Sequence, residues 1–181
     1  MMLVRHAIPL LIASVSTCAY QWHHPEHSAV NVNTTSGKIH GLVDEALPHV
    51  QQFLGIPYAK PPVGDLRWEP PQVLSQEAAN NIVNATQLPL SCPQNPITRP
   101  IYSQDVPQFQ IQGYNSSNST SEDCLTLSVW SPTTKPLKNK NYPVIVFIYG
   151  GHFTTGSTNV PYQIPAQWVE RTQSHIVVSF K

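Results

Sequence analysis

Residues 144–153 have the sequence Val144-Ile145-Val146-Phe147-Ile148-Tyr149-Gly150-Gly151-His152-Phe153, and this stretch decides the fold. Its first six residues form an uninterrupted apolar run that stops at a glycine pair. A continuous run of this length predicts a strand buried on both faces, as in a parallel sheet. The glycines let the backbone turn sharply and come close to another group. Two interpretations stay open at this point: a turn that offers backbone N–H groups to a developing oxyanion, and an ordinary loop after a buried strand.

The composition limits the partners of the chain. Its 181 residues are enough for one domain with its own core. Charged residues make up only 11%, well below the usual quarter, and the 10 basic and 10 acidic residues cancel. This balance argues against a nucleic-acid partner or an anionic membrane. No motif in the chain calls for a metal or an organic cofactor, so we expect none.

Residues 1–19 have the pattern of a secretory signal peptide. A short basic start with Arg5 and His6 precedes an apolar stretch over residues 7–15, and Thr17-Cys18-Ala19 is a small-residue cleavage site. The apolar stretch is too short for a transmembrane segment, which needs about 20 residues. The sequence therefore predicts a secreted, extracellular protein without a membrane span.

Residues 20–28 are predicted to be a flexible start of the mature chain. His23, His24 and His27 lie here, and a histidine cluster can bind a metal. No cysteine or carboxylate cluster lies nearby to complete such a site. A solvated, mobile segment is the favoured interpretation.

The next part of the chain alternates apolar and polar residues. Between Ala29 and Phe53 this pattern predicts antiparallel strands, with a turn at Ser36-Gly37 and a third short strand over Val50–Leu54. The segment Phe53–Trp68 contains three prolines and two glycines. We predict an ordered, extended surface segment there, and neither a helix nor a central strand.

Later segments return to strand and helix patterns. Leu125, Leu127 and Val129 alternate with Thr126, Ser128 and Trp130, which predicts a strand with two distinct faces. The 26 residues between the two last apolar runs are long enough for a crossover between parallel strands. We therefore predict strands over Leu125–Trp130, Val144–Tyr149 and His175–Phe180, and a short helix that starts at Pro165.

Two cysteines remain after removal of the leader with Cys18. Cys92 and Cys124 can pair, and they bracket 31 residues of an irregular, polar segment. A disulfide closing such a loop would stabilise the fold by roughly 3–4 kcal/mol on the chain-entropy model. Four N-glycosylation acceptors also fit a secreted protein; they are Asn33, Asn84, Asn115 and Asn118.

Four segments, taken in order, point to a family; they are Phe53–Trp68, Ser121–Trp130, Val144–Phe153 with Gly156-Ser157, and Ile176–Phe180. Together they closely resemble the N-terminal third of type-B carboxylesterases, the α/β-hydrolases that include cholinesterases and fungal extracellular lipases. The resemblance covers about residues 29–181. It implies an α/β class: an incomplete α/β-hydrolase fold, with a small N-terminal antiparallel sheet followed by the first strands of the main mixed sheet.

The resemblance assigns structural roles to two residue pairs. Cys92 and Cys124 match the first disulfide of the family. Arg67 and Glu122 match a buried or half-buried ion pair that ties the extended segment to the base of the disulfide loop. A planar guanidinium suits this role because it can bind a carboxylate through two donors.

The resemblance also assigns an oxyanion loop to Gly150-Gly151-His152. In the family, the second and third positions donate N–H groups, which here belong to Gly151 and His152. The family usually has Gly or Ala at the position of His152. The N–H is retained, but the imidazole either points away, reshapes the acyl pocket or damages the oxyanion hole.

The nucleophile motif of these enzymes, Gly-x-Ser-x-Gly, is absent. Among the eight glycines only Gly37 and Gly41 are four apart, and Ile39 lies between them. We therefore expect no catalytic triad residue in this chain, which has the sequence of the front part of an enzyme. Such a part alone is expected to be inactive, and to leave the strands over 144–149 and 176–180 without later neighbours.

Two functions remain as hypotheses. The first is the N-terminal fragment of a secreted hydrolase of small-molecule or lipid carboxylic esters. The second is a non-catalytic, cholinesterase-like secreted binding protein or a truncated relic. Cholinesterases carry a tryptophan in the first disulfide loop that stacks on the quaternary ammonium. Residues 93–123 contain no tryptophan, which argues against a choline ester.

Overall fold

The computed structural model describes residues 27–34, 37–74, 82–94, 120–136 and 140–181. These residues form one mixed sheet of seven strands and one α-helix. The predicted signal peptide, His23 and His24 lie outside the described residues. The elements are β1 (His27–Thr34), β2 (Gly37–Asp44), β3 (Val50–Pro57), β4 (Ile82–Asn84), β5 (Thr126–Pro132), β6 (Val144–Phe147), α1 (Ala166–Thr172) and β7 (Ile176–Phe180).

The sheet has the order β1-β2-β3-β5-β7-β6, and β4 pairs with β2. Each pair from β1 to β7 in this order is antiparallel, and only the last pair, β7 with β6, is parallel. This confirms the antiparallel N-terminal strands. β1 begins at His27, two residues before the predicted start of the sheet. β1 pairs with one edge of β2. Along the other edge, the first part of β2 pairs with the parallel strand β4 and the last part pairs with β3.

Strand β3 corrects the prediction for the segment that begins at Phe53. This strand continues to Pro57 and lies between β2 and β5, so the first part of the segment is a central strand. The register with β5 shifts between Phe53 and Ile56. Gly55 has a φ of +83° inside this shift, and its N–H donates to Ser128 Oγ instead of a strand carbonyl. A glycine bulge thus lets the chain continue in the sheet where regular pairing fails.

The crossover expected after the glycine pair is present. β6 and β7 are parallel, with Val144 opposite Ile176, and α1 lies in the connection between them. Pro165 caps α1 immediately before its first residue, and Gln173 ends it in the left-handed conformation with φ +49°. The helix packs against β3 and β5, so the connection crosses one face of the sheet.

Two apolar clusters fill the interior. One lies between α1 and the sheet; its members are Val50, Leu54, Trp130, Ala166, Val169 and Val177. The other lies on the N-terminal strands and contains Ile39, Phe53 and Ala85. Trp130 is fully buried and donates its ring N–H to Gln52 Oε1 at 3.2 Å. The alternation along β5 is confirmed, and the face with Thr126, Ser128 and Trp130 is the more deeply buried one.

The prediction that Val144–Tyr149 is a central strand buried on both faces is wrong for this chain. β6 is shorter, ends at Phe147 and lies at the end of the sheet order. Its four side chains are between 37% and 57% exposed. Within the described residues, β6 has β7 as its only strand neighbour, and the helix covers β3 and β5 instead. The apolar run therefore predicted a parallel strand correctly. Its burial depends on neighbouring strands and helices, and the described residues place only β7 beside it.

Candidate functional site

The glycine pair after β6 begins a tight turn. The N–H groups of Thr154 and Thr155 both donate to the carbonyl oxygen of Gly151, at 3.1 and 3.0 Å. Both threonine hydroxyls reach the same oxygen at 3.3 Å. Gly151 has a φ of +147°, and a Cβ added there would lie 1.8 Å from the Thr155 carbonyl oxygen. The turn therefore requires glycine at residue 151 for both conformation and space.

The carbonyl groups of the turn fix the direction of its N–H groups. All described peptide bonds are trans, so the C=O and N–H of one peptide unit point in opposite directions. The Gly151 carbonyl points into the turn, and the N–H of His152 therefore points out of it. The Gly150 carbonyl oxygen faces Gly156, where an added Cβ would lie 2.5 Å from it. The N–H of Gly151 consequently points away from Gly156.

These two consecutive N–H groups belong to Gly151 and His152, the residues to which the family resemblance assigns the oxyanion donors. No acceptor among the described residues takes a hydrogen bond from Gly151 N–H or His152 N–H. Gly151 is only partly buried and His152 is exposed, so both N–H groups are accessible to a ligand. The turn thus presents two adjacent donors in one region, which is an arrangement that can bind an oxyanion.

His152 and Phe153 continue the turn in the left-handed conformation, with φ values of +54° and +59°. Both side chains are exposed, and Phe153 is fully so. Within the described part of the chain, the imidazole of His152 has no hydrogen-bond partner. The left-handed backbone costs about 1–2 kcal/mol for each non-glycine residue. His152 thus keeps its N–H, and its side chain stands at the mouth of the turn.

The turn forms one wall of an open groove of about 530 Å³. Apolar side chains line much of it, including Ile148, Phe153 and Phe180. Lys181 also lines the groove and donates its Nζ to the carbonyl oxygens of Pro89 and Leu90, at 2.7 and 2.8 Å. Burial lowers the pKa of Lys181 to about 7. The groove therefore offers apolar contacts beside the two free donors.

The disulfide between Cys92 and Cys124 is present, which confirms this pairing. It joins the residues before the irregular loop to the start of β5. The segment 120–124 is also held to Ser91, since Ser121 N–H donates to the Ser91 carbonyl at 2.9 Å. We call residues 89–94 and 120–124 together the disulfide neck.

Arg67 and Glu122 form an ion pair, with Arg67 Nη2 2.8 Å from Glu122 Oε1. Their side chains are 55% and 37% exposed, so the pair is half-buried. The guanidinium also lies 5.4 Å from the ring centre of Trp68. The pair joins the segment after β3 to the disulfide neck, and its stabilising contribution is small at this exposure.

Sequence reasoning missed the residues that hold the far end of the turn. Gln94 makes two hydrogen bonds with the backbone of Gly156. Ser157 is fully buried, and its Oγ accepts a hydrogen bond from the buried Ser91 Oγ at 2.8 Å. The position of Gln94 two residues after Cys92 was the only available signal, and glutamines are too common in this chain for that to stand out.

The remaining site residues lie at the surface or outside the described residues. Asn33 and Asn84 are exposed, and Thr86 Oγ1 donates to Asn84 Oδ1 at 2.9 Å within its acceptor motif. Asn115 and Asn118 lie outside the described residues. In the described part of the chain, no helix is long and apolar enough to cross a membrane, and no cluster of three metal-ligating side chains occurs.

The sequence pattern of the carboxylesterase family matches residues 28–181 of this chain. That match covers the sheet from the second residue of β1 onward and includes the glycine turn. The chain belongs to the carboxylesterase family. Curated relatives of this carboxylesterase-family chain include the chlorogenic acid esterase of Aspergillus niger, which is 43% identical over 81% of the chain and 28% of that protein.

Two other relatives lead to the same family. Secreted lipase 5 of Gibberella zeae is 38% identical over 95% of this chain and 32% of the lipase. The cholinesterase of Mus musculus is 41% identical over 86% of this chain and 24% of the cholinesterase. The chain therefore spans about a quarter to a third of the length of these three relatives. Its sheet is a partial α/β-hydrolase fold that corresponds to the N-terminal region of a carboxylesterase.

Proposed function

We propose that this chain is the N-terminal part of a secreted carboxylic ester hydrolase, and that Gly151 and His152 bind the oxyanion of the reaction through their N–H groups. The observation that carries the proposal is the direction of these two donors. Both point out of the turn, on the side away from the carbonyl oxygens of Gly150 and Gly151, and no described residue accepts from them. Membership of the carboxylesterase family supports an ester as substrate.

In the proposed reaction, a serine supplied by the whole enzyme attacks the carbonyl carbon of the ester. The carbonyl oxygen becomes an oxyanion and accepts hydrogen bonds from Gly151 and His152. Collapse of this intermediate expels the alcohol, and water then releases the acid from the acyl-serine. Loss of one such donor typically lowers kcat by about 10²–10³-fold.

The substrate class is a small-molecule or lipid carboxylic ester. The names of the relatives cover a chlorogenic acid esterase, a lipase and a cholinesterase, so they support the bond type rather than one substrate. The apolar lining of the groove beside the donors supports an apolar group on the ester. Secretion is supported by the predicted leader, by the disulfide and by the secreted lipase among the relatives.

The donor proposal can be tested on the full chain with phenyl methylphosphonate, a stable tetrahedral anion that resembles the intermediate. We expect saturable shifts of the Gly151 and His152 amide signals in nuclear magnetic resonance spectra, with affinity in the millimolar range. Phenyl acetate, which is planar and neutral, is the matched control and should shift these signals far less. Equal shifts for both compounds, or no shift at either amide, would refute the proposal.

The whole-protein part of the proposal has its own test. Intact mass of the deglycosylated secreted product, together with the 3′ sequence of its transcript, gives the length of the native chain. A continuation that contains Gly-x-Ser-x-Gly supports the esterase. A product that ends at Lys181 would instead favour the non-catalytic binding protein or relic.

A further inference from the structure

One side chain outside the turn makes contact with both polar groups of a single turn residue. Gln94 Oε1 accepts from Gly156 N–H at 2.8 Å, and Gln94 Nε2 donates to the Gly156 carbonyl at 3.1 Å. An N–H can only donate and a carbonyl can only accept, so these partners fix the orientation of the carboxamide. Nε2 also reaches the Cys92 carbonyl at 3.3 Å. We call these three contacts the Gln94 bridge.

Gly156 lies directly against the start of the turn. It has a φ of +125°, and an added Cβ would lie 2.5 Å from Gly150 O and 2.6 Å from the ring of Tyr149. The Gly150 carbonyl is half of the peptide unit whose other half is Gly151 N–H. A displacement of Gly156 therefore allows this peptide unit to rotate, and the direction of Gly151 N–H changes with it.

We propose that Gln94 is a positioning residue, which holds the N–H groups of Gly151 and His152 in the direction needed for oxyanion binding. This inference rests on the proposed function of those donors. Gln94 does not reach the oxyanion. It acts on Gly151 N–H through Gly156 and Gly150, and on His152 N–H through Thr155, which precedes Gly156 and donates to the Gly151 carbonyl. Gln94 is itself part of the disulfide neck. Its backbone is held there because Cys92, two residues earlier, is bonded to Cys124.

The second anchor of the turn strengthens this role. Ser157 follows Gly156 and is hydrogen-bonded to Ser91 of the disulfide neck, and both hydroxyls are fully buried. β6 holds the near end of the turn through its pairing with β7. The turn is therefore held at both ends, and the Gln94 bridge is the contact nearest to the donors on the neck side. Donors that are held in advance need no reorganisation when the charge develops.

The test compares Gln94→Met with Gln173→Met in the full chain. Gln173 is a matched control because its Nε2, like that of Gln94, donates to backbone carbonyls, but it does so beside α1; these carbonyls are those of His49, Val169 and Glu170. We expect Gln94→Met to lower the hydrogen-exchange protection of the Thr154 and Thr155 amides at least tenfold. Gln173→Met should leave both amides protected, even if it lowers the melting temperature equally.

A second readout separates positioning from general stability. Phenyl methylphosphonate should bind Gln94→Met at least tenfold more weakly than wild type, and should bind Gln173→Met with unchanged affinity. Gln94→Glu provides a conservative rescue. Its carboxylate cannot donate to the Gly156 carbonyl, but its protonated form can both donate and accept. Protection of the turn in Gln94→Glu, relative to wild type at the same pH, should recover below about pH 4.3, the usual pKa of Glu.

The possible outcomes decide the proposal separately from the oxyanion function. Unchanged protection of Thr154 and Thr155 in Gln94→Met would overturn the positioning role, and so would an equal loss in Gln173→Met. If Gln94→Met does not fold, Gln94→Glu decides by its recovery with falling pH. If wild type does not bind the phosphonate, the oxyanion function fails, whereas the exchange measurements still decide whether Gln94 holds the turn.

Discussion

Replacement of Gly151 by alanine tests whether the turn requires glycine at this position. The added Cβ would lie 1.8 Å from the Thr155 carbonyl oxygen and 2.6 Å from its carbonyl carbon. Both atoms belong to the backbone, so no side-chain rotation relieves the contact. The φ of +147° is also unfavourable for a residue with a Cβ. The substitution must therefore displace the backbone that carries both proposed donors.

The size of the effect follows from two contributions. Backbone strain of this kind costs about 1–3 kcal/mol, and forced overpacking costs about 1–3 kcal/mol more. We expect a total loss of about 2–6 kcal/mol in the free energy of unfolding, or a decrease of roughly 4–24 °C in melting temperature for a chain of this size. The decrease in the free energy of global unfolding is smaller if only the turn opens and the rest of the chain stays folded. In that case the Thr154 and Thr155 amides lose exchange protection, because both donate to Gly151 O.

Thermal unfolding, followed by circular dichroism, and amide exchange, both on the full chain, give the two measurements. Gly150→Ala is the matched control, because an added Cβ there meets no atom within 4 Å and its φ is not left-handed. We expect this control to remain within about 1 kcal/mol of wild type. The reasoning is refuted if Gly151→Ala keeps both its melting temperature and its turn protection at the level of Gly150→Ala.

Two further predictions concern the supports of the site. Reduction of Cys92–Cys124, which are 32 residues apart, should destabilise the chain by roughly 3–4 kcal/mol in thermal or urea unfolding; alkylation of both cysteines without prior reduction would contradict the pairing. Arg67→Ala should cost no more than about 1 kcal/mol, because its ion pair with Glu122 is about half exposed to solvent. A loss above about 3 kcal/mol in the same unfolding assay would show that this pair is more important than its exposure indicates.

The local pattern of residues was sufficient to predict much of the architecture. Alternation along Leu125–Trp130 predicted a strand with two faces, because side chains of a strand point alternately to opposite sides, and the observed strand is Thr126–Pro132. The length of the connection after Tyr149 predicted a parallel crossover, and β6 and β7 are parallel. Both properties depend on backbone geometry within a short segment or on chain length, so sequence alone contains them.

Two predictions failed for a common reason. The segment after Phe53 was not expected to contain a central strand, but a bulge at Gly55 keeps β3 in the sheet as far as Pro57. The apolar run from Val144 was expected to be buried, but β6 is an exposed edge strand. In each case the result depends on which distant segment pairs with the strand, and local apolarity or proline content does not carry that information.

The sequence by itself determined the chemical groups of the candidate site: the glycine pair, the N–H of His152 and the cysteines that can pair. The tertiary structure decided where those groups point. The Gly150 carbonyl faces Gly156, and Gly156 is held by Gln94, which is 62 residues away in the chain. Donor direction is a property of peptide planes fixed by such long-range contacts, and no local pattern of residue types specifies it.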